Sequence, residues 1–361
     1  MGTELQLALI GAGAAVVAAV WAYNFWQERQ HKKTAEKIFK GSQPDVLLQG
    51  HGEEDRIEPS TGAPLERIEP AVAPLDADAM AVPPAPSAAW ADEIADCLVR
   101  IVFREGVSAP ALWSVQAAWA EGLTKPLAWL GYDAQSREWK RLTAHDAGHY
   151  ASIVAALQLA DRQGAVSDGE LGIFLAGVQR LMQQFDGEAV VPDAADLLAH
   201  AQSLDGFCAS VDVQLAVNVI ETAGGSFVGT KLRGLAEAAG LALEEDGRFH
   251  AREEDGSEVF TLGNLGAESF TAESLKALAS VGVSFVLDVP RVADGSAAFD
   301  RMVAAAGQMA QSLGGTVVDG QRHTLTEAMV VGIRSKVAEI QRQMTANQIP
   351  PGSPRALRLF C

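Results

Sequence analysis

From residue 211 onward the apolar positions alternate, then turn helical, and do so repeatedly. Residues 211–220 put Val213, Leu215, Val217 and Val219 on one side, the period-2 signature of a half-buried strand. Residues 231–239 put Leu232, Leu235, Ala236 and Ala239 on one helical face, with Gly240 placed to stop the helix. Short strands are expected over 243–251 and 259–265. Residues 282–289 alternate again, with Val283, Phe285, Leu287 and Val289 inward. A strongly amphipathic helix then carries Phe299, Met302, Val303, Ala306, Met309, Ala310 and Leu313 and ends at Gly314-Gly315. A short strand at Val317-Val318 and a last helix over 327–343 complete the set. Helices covering one face of a mostly antiparallel sheet make a two-layer α/β sandwich.

The pattern occurs a second time upstream. Sliding the strong helix back so that Phe299 falls on Leu171 places its other apolar positions on Phe174, Leu175, Val178, Leu181, Met182 and Phe185. Asp186-Gly187 then stands where Gly314-Gly315 stood, and Val190-Val191 echoes Val317-Val318. Residues 153–159 read as the matching strand. Leu112, Val115 and Trp119 mark the first helix, ending at Gly122, and residues 97–103 the first strand. The order of elements predicts a degenerate tandem copy over 89–205, ahead of the domain at 208–345 and a tail at 346–361.

The N-terminal pattern has neither period. Residues 5–26, opening on Leu5 and closing on Trp26, are 22 positions without a charge; as a helix they would span roughly 33 Å, enough for a bilayer core. Trp21, Tyr23 and Trp26 cluster at the far end, where aromatic rings favour the headgroup zone. Arg29, Lys32, Lys33, Lys37 and Lys40 follow within a basic segment at 27–40, whereas residues 1–4 hold only Glu4. A basic flank stays in the cytoplasm, so the expectation is a single-pass inner-membrane anchor with residues 1–4 periplasmic and the body cytoplasmic. Gly11, Ala15 and Ala19 share one helical stripe, on which two copies could self-associate.

Residues 41–88 change character. They hold eight of the chain's 15 prolines, nine acidic residues against Arg56 and Arg67, and no aromatic residue. Such a segment buries too little apolar surface to order itself and reads as a disordered tether. Within it Arg-Ile-Glu-Pro occurs twice, at 56–59 and 67–70.

Composition adds limits. A net charge of −18 opposes nucleic-acid binding, because phosphate contacts need a basic face. Three cysteines, Cys97, Cys208 and Cys361, give neither a disulfide framework nor a CxxC metal site. The chain has no P-loop, no GxGxxG after a strand and no GxSxG elbow. His145-Asp146-Ala147-Gly148-His149 has zincin spacing, but Asp146 replaces the glutamate base and Gly148 weakens the helix. His250 and His323 read as surface residues. No catalytic, cofactor or metal residue is nominated, and the chain reads as an adaptor, not an enzyme.

Several stretches together resemble the ZipA family of bacterial cell-division proteins. They are the anchor leading into Trp26-Gln27-Glu28-Arg29; Val217-Asn218-Val219 running on to Ala239-Gly240-Leu241; and Phe260-Thr261-Leu262-Gly263-Asn264. Gly282-Val283-Ser284-Phe285-Val286-Leu287-Asp288-Val289-Pro290 and Leu313-Gly314-Gly315-Thr316-Val317-Val318-Asp319-Gly320-Gln321-Arg322 complete the set. The resemblance covers residues 211–345 and the anchor; the 89–205 region has no counterpart in it. It implies a tether of the tubulin-like GTPase FtsZ, whose C-terminal tail would lie on the exposed sheet face. Strand alternation independently puts Gln214, Ala216, Arg248, Gly263, Leu265, Ser284 and Val286 on that face, and a sheet face free of helices can accept an amphipathic peptide. The expected partners are the FtsZ tail and, through residues 5–26, the lipid bilayer, with no cofactor. This face is more polar than the large apolar groove the resemblance implies, and Arg248 offers it a pairing site for an acidic residue.

Overall fold

The computed structural model describes residues 85–361. The expected periplasmic end 1–4, membrane helix 5–26, basic segment 27–40 and most of the linker lie outside these residues, as do both Arg-Ile-Glu-Pro copies. Among the described residues no helix is long and apolar enough to cross a membrane.

An N-lobe opens with β1 (Asp96–Ser108), α1 (Ala109–Gln116) and a 3-10 turn at Ala120–Gly122. It continues through β2 (Leu127–Asp133), β3 (Glu138–Arg141), β4 (His149–Gln158), and the small hairpin of β5 (Ala160–Asp161) and β6 (Gly164–Ala165). It closes with α2 (Asp168–Gln184), β7 (Gly187–Ala189) and α3 (Ala194–Val211). Its sheet runs β3-β2-β4-β1-β7, antiparallel throughout. Ser167 starts α2 with a capping box: its side chain accepts from the Glu170 amide while the Glu170 carboxylate accepts from the Ser167 amide. The inward stripe Leu171, Phe174, Val178 and Leu181 is fully buried against Cys97, Val99, Ile101 and Phe103 of β1.

The C-lobe comprises β8 (Gln214–Ile220), β9 (Phe227–Val228), α4 (Gly229–Ala238), β10 (Leu241–Leu243), β11 (Phe249–Arg252) and β12 (Glu258–Asn264). After these come α5 (Ser274–Ala277), β13 (Ala279–Ser280), β14 (Gly282–Asp288), α6 (Gly295–Leu313), β15 (Thr316–Val318), α7 (Glu327–Ala346) and α8 (Pro354–Leu359). Its sheet runs β10-β11-β12-β14-β8-β15, again antiparallel. Phe299, Met302, Ala306 and Met309 of α6 meet Val217, Val219, Val283, Phe285 and Leu287 in one core. Burying each large side chain of this set stabilises the fold by about 1.5–3 kcal/mol. The fully buried Phe285 ring packs tilted against Phe260, centroids 6.1 Å apart, and Phe285→Ala would cost about 3–5 kcal/mol.

Several expectations need correction. Residues 211–220 are not one strand: Val211 ends α3, where it is buried with Ala201, Leu204 and Cys208, and Asp212 caps the helix before β8 begins. α3 was not foreseen. Residues 243–251 form two strands, β10 and β11, because the chain turns at Gly247, whose φ is +78°. Val190-Val191 is not the short strand: that is β7, paired with β1, and Val190 is 90% exposed. The zincin-spaced segment agrees with its rejection: 143–148 is a turn, His149 opens β4, and the two histidines share no helix. His250 is buried. Residues 346–361 are not a loose tail, because Ile349, Ala356, Leu359 and Phe360 are buried.

Polar contacts join the lobes. Arg162, on the β5–β6 turn, reaches both Asp212 and Asp288, 2.7 Å from each. On α8, Arg355 pairs with Asp92 at 2.9 Å, and Arg358 grips Asp92 and Asp96. Burial lifts the Asp96 carboxyl above its ordinary pKa, even with Arg358 beside it.

Candidate functional site

α4 and α6 cover one face of the C-lobe sheet; the opposite face presents alternate residues of each strand. The register sets them in rungs. Ala216 lies opposite Val286, which pairs with Thr261, which pairs with His250. The next rung is Asn218–Ser284–Gly263. Beyond it Ile220 pairs with Gly282, and the Leu265 amide donates to the Gly282 carbonyl at 3.0 Å. At the other end Gln214 faces Asp288.

The seven residues expected on this face therefore share it, in unequal states. Val286, Ser284, Gly263 and Leu265 are half-buried; Ala216 and Arg248 are exposed. A Cβ added at Gly263 would lie 3.9 Å from Arg248 Cγ, so the Arg248 stem lies over that glycine. A Cβ added at Gly282 would come within 3.0 Å of Leu265 Cδ2 and 3.2 Å of Ile220 Cγ2. The bare backbone there lets Leu265 and Ile220 close together, making an apolar end to the face. Gln214 is already engaged: its Nε2 donates to Asp288 Oδ2 at 3.1 Å, and Asp288 also receives Arg162.

Asn218, Thr261 and His250 also lie on this face and were not nominated, although each stands two residues from a nominated one, Ala216, Gly263 and Arg248, and shares its parity. What the pairing of β11 with β12 and of β8 with β14 adds is their order across the sheet. Asn218 Nδ2 donates to the Asp319 carbonyl at 3.3 Å, while its buried Oδ1 has no partner among the described residues. His250 Nδ1 lies 2.5 Å from Glu258 Oε2, and its Nε2 lies 3.0 Å from Asp246 Oδ1. Burial pulls the imidazole pKa down, but hydrogen bonds to Asp246 and Glu258 and their charge outweigh that, so it stands above the ordinary value. Two carboxylate acceptors on opposite ring nitrogens suit only the doubly protonated ring.

Among the described residues no group of histidine, cysteine or carboxylate side chains could hold a metal ion. The face is shallow and mixed, with Val286, Ala216, Leu265 and Ile220 as apolar floor and Ser284 and Arg248 as hydrogen-bonding groups, Thr261 being buried. It lends itself to holding an extended peptide by side-chain contact.

This C-lobe is thus a two-layer α/β sandwich with one sheet face left uncovered by the helices of the described residues. It is ZipA-like: the family model of the ZipA C-terminal FtsZ-binding domain matches residues 214–336. The chain is 32% identical over 166 residues to the cell division protein ZipA of Stutzerimonas stutzeri, covering 45% of this chain and 60% of that protein. It is 31% identical over 144 residues to that of Ectopseudomonas mendocina, covering 39% and 53%. To that of Marinobacter nauticus it is 26% identical over 138 residues, covering 37% and 41%. The chain spans about half the length of the curated relatives it matches.

Proposed function

We propose that this chain is a non-enzymatic division-site tether that holds FtsZ at the inner membrane. Residues 5–26 anchor it, the linker at 41–88 gives reach, and the body lies in the cytoplasm. The C-terminal tail of FtsZ docks on the open sheet face, over Ala216, Arg248, Gly263, Leu265, Ser284 and Val286, with Gln214 at its end. The observation that carries this reading is the position of that uncovered face inside the residues matched by an FtsZ-binding domain. Weak contacts suffice, because a polymer presents many tails to many tethers on one surface.

The N-lobe is, on this reading, a degenerate copy of the same sandwich. In support, α2 and α6 bury the same stripe, and both sheets end in a short strand beside the first strand. The lobes differ at the far edge. The strand that precedes β4 in the chain, β3, lies at the sheet edge, whereas its counterpart β12 sits next to β14.

Titrating the full chain with a peptide of the FtsZ tail tests the proposal. Val286→Asp and Leu265→Asp should each weaken binding about tenfold or more, a charge having entered the apolar floor. Absence of binding, or indifference to both changes, would overturn it. The polar character of Gln214, Gly263 and Ser284 favours a second reading, a membrane scaffold of the same fold with another cytoplasmic client. That reading gains if FtsZ tails fail while both substitutions release a different partner captured by cross-linking.

A further inference from the structure

The N-lobe sheet also has a face opposite its helices, and that face is filled. Leu98 of β1, Val154 and Ala156 of β4, Ala128, Leu130 and Tyr132 of β2 and Trp139 of β3 form an apolar floor. Trp90 and Ala91, from the stretch before β1, pack onto it. Ala91 is fully buried although it belongs to no regular element. Among the described residues, the comparable face of the C-lobe carries no such cover.

The covering stretch is held as a ligand would be. Its backbone hydrogen bonds are its own: the Trp90 and Ala91 amides donate to the Ser87 carbonyl at 2.9 and 3.1 Å, and the Ala89 amide to Ser87 Oγ at 3.3 Å. Among the described residues, no backbone bond ties 85–91 to a strand of this sheet. Side chains on the floor hold it, together with one hydrogen bond from Arg358 Nη1 to the Trp90 carbonyl at 3.3 Å. One end is fixed where Asp92 meets Arg355 and Arg358; the other continues into the acidic, proline-rich segment.

We propose that the N-lobe sheet face is a second peptide-docking surface, held shut in cis by residues 87–91. Its chemistry calls for an aromatic side chain beside a small one, as Trp90 and Ala91 supply. The strap lowers the apparent affinity for any such peptide in trans by the fraction of molecules in which it is seated. This inference does not depend on what occupies the C-lobe face.

The test uses the full chain and a labelled peptide spanning residues 85–93. Wild-type chain should take it up weakly. Trp90→Ala, which removes the anchor, and Ser87→Gly, which loosens the turn, should each bind it about tenfold more tightly or better. Adding Tyr132→Asp on the floor should abolish that gain. Circular dichroism and melting establish that each variant is folded. Folded variants that bind no better than wild type, or binding untouched by Tyr132→Asp, would overturn the proposal. Hydrogen exchange on the wild-type chain decides independently: amides of Trp90 and Ala91 should open faster than those of β4, and exchange only with global unfolding would sink the idea.

Discussion

Arg358 on the last helix grips Asp96 at the head of the first strand, with guanidinium nitrogens 2.8 and 2.7 Å from the two carboxylate oxygens, across 262 residues of chain. Asp96 is buried and Arg358 half-buried, so removing the arginine is the costly way to break the pair. Arg358→Ala should destabilise the body by about 3–5 kcal/mol, because it leaves a buried carboxylate without its cation. Burial already raises the Asp96 pKa against the pull of Arg358. Without the arginine it rises further, so the folded state binds a proton more tightly than the unfolded chain. The deficit should then shrink as pH falls toward that value. Urea denaturation at several pH values reads both effects; equal loss at every pH would contradict the argument.

On the open face of the C-lobe, Arg248 is the exposed cation beside Gly263. Arg248→Ala should weaken binding of an acidic tail peptide by about 0.5–1 kcal/mol, as befits a solvent-exposed pair. The loss should fade at high salt, where screening already suppresses the wild-type contact. Titration at two ionic strengths checks this, and a salt-independent loss would mean that Arg248 acts through its packing on the sheet.

How much of this was legible depended on period and distance. α6 and β14 were readable because each keeps one clean period over its length. The seven face residues followed from parity alone. α3 was missed because its alanine-rich sequence, interrupted by Gly206, has a weak apolar stripe. β2 was missed because its inward and outward positions are both apolar, Trp129 joining the main core while Leu130 lies under the strap; β3 was missed because Trp139 is its one apolar residue, between Glu138 and Lys140. His250 looked like a surface residue until register set it beside Thr261. The ties of Gln214 to Asp288 and of Arg162 to Asp288 cross elements far apart in the chain, which no local pattern announces.

His250 makes part of the stability pH-dependent. Its folded pKa is raised, so its contribution is full below the unfolded value of about 6.5 and fades as pH rises through the folded value. The Asp246 pKa stands below its ordinary value: burial raises it, and the hydrogen bond from His250 more than offsets that. The Asp246 contribution is therefore lost as pH falls through its lowered folded pKa. Stability should pass through a plateau in mildly acidic buffer and decline as pH rises past about 6.5 toward the raised folded value. His250→Gln should remove the decline. Thermal melts from pH 5 to 9 report it, and a parallel profile for wild type and variant would refute the assignment.

Asp186 and Gly314 follow the matching helices α2 and α6, and both are left-handed, with φ of +51° and +72°. Glycine takes that conformation without strain, whereas a side chain costs about 1 kcal/mol there, somewhat less for aspartate. Asp186 recovers little from its exposed contact with Arg104 at 3.5 Å. Asp186→Gly should therefore stabilise the body by about 0.5 kcal/mol, and Gly314→Ala should destabilise it by about 1 kcal/mol. Nothing lies within 4 Å of a Cβ built at Gly314, so conformation and not crowding sets the second cost. Equilibrium denaturation of the two single variants measures both. Opposite signs are required; a loss in both would show that Asp186 holds its turn through its side chain.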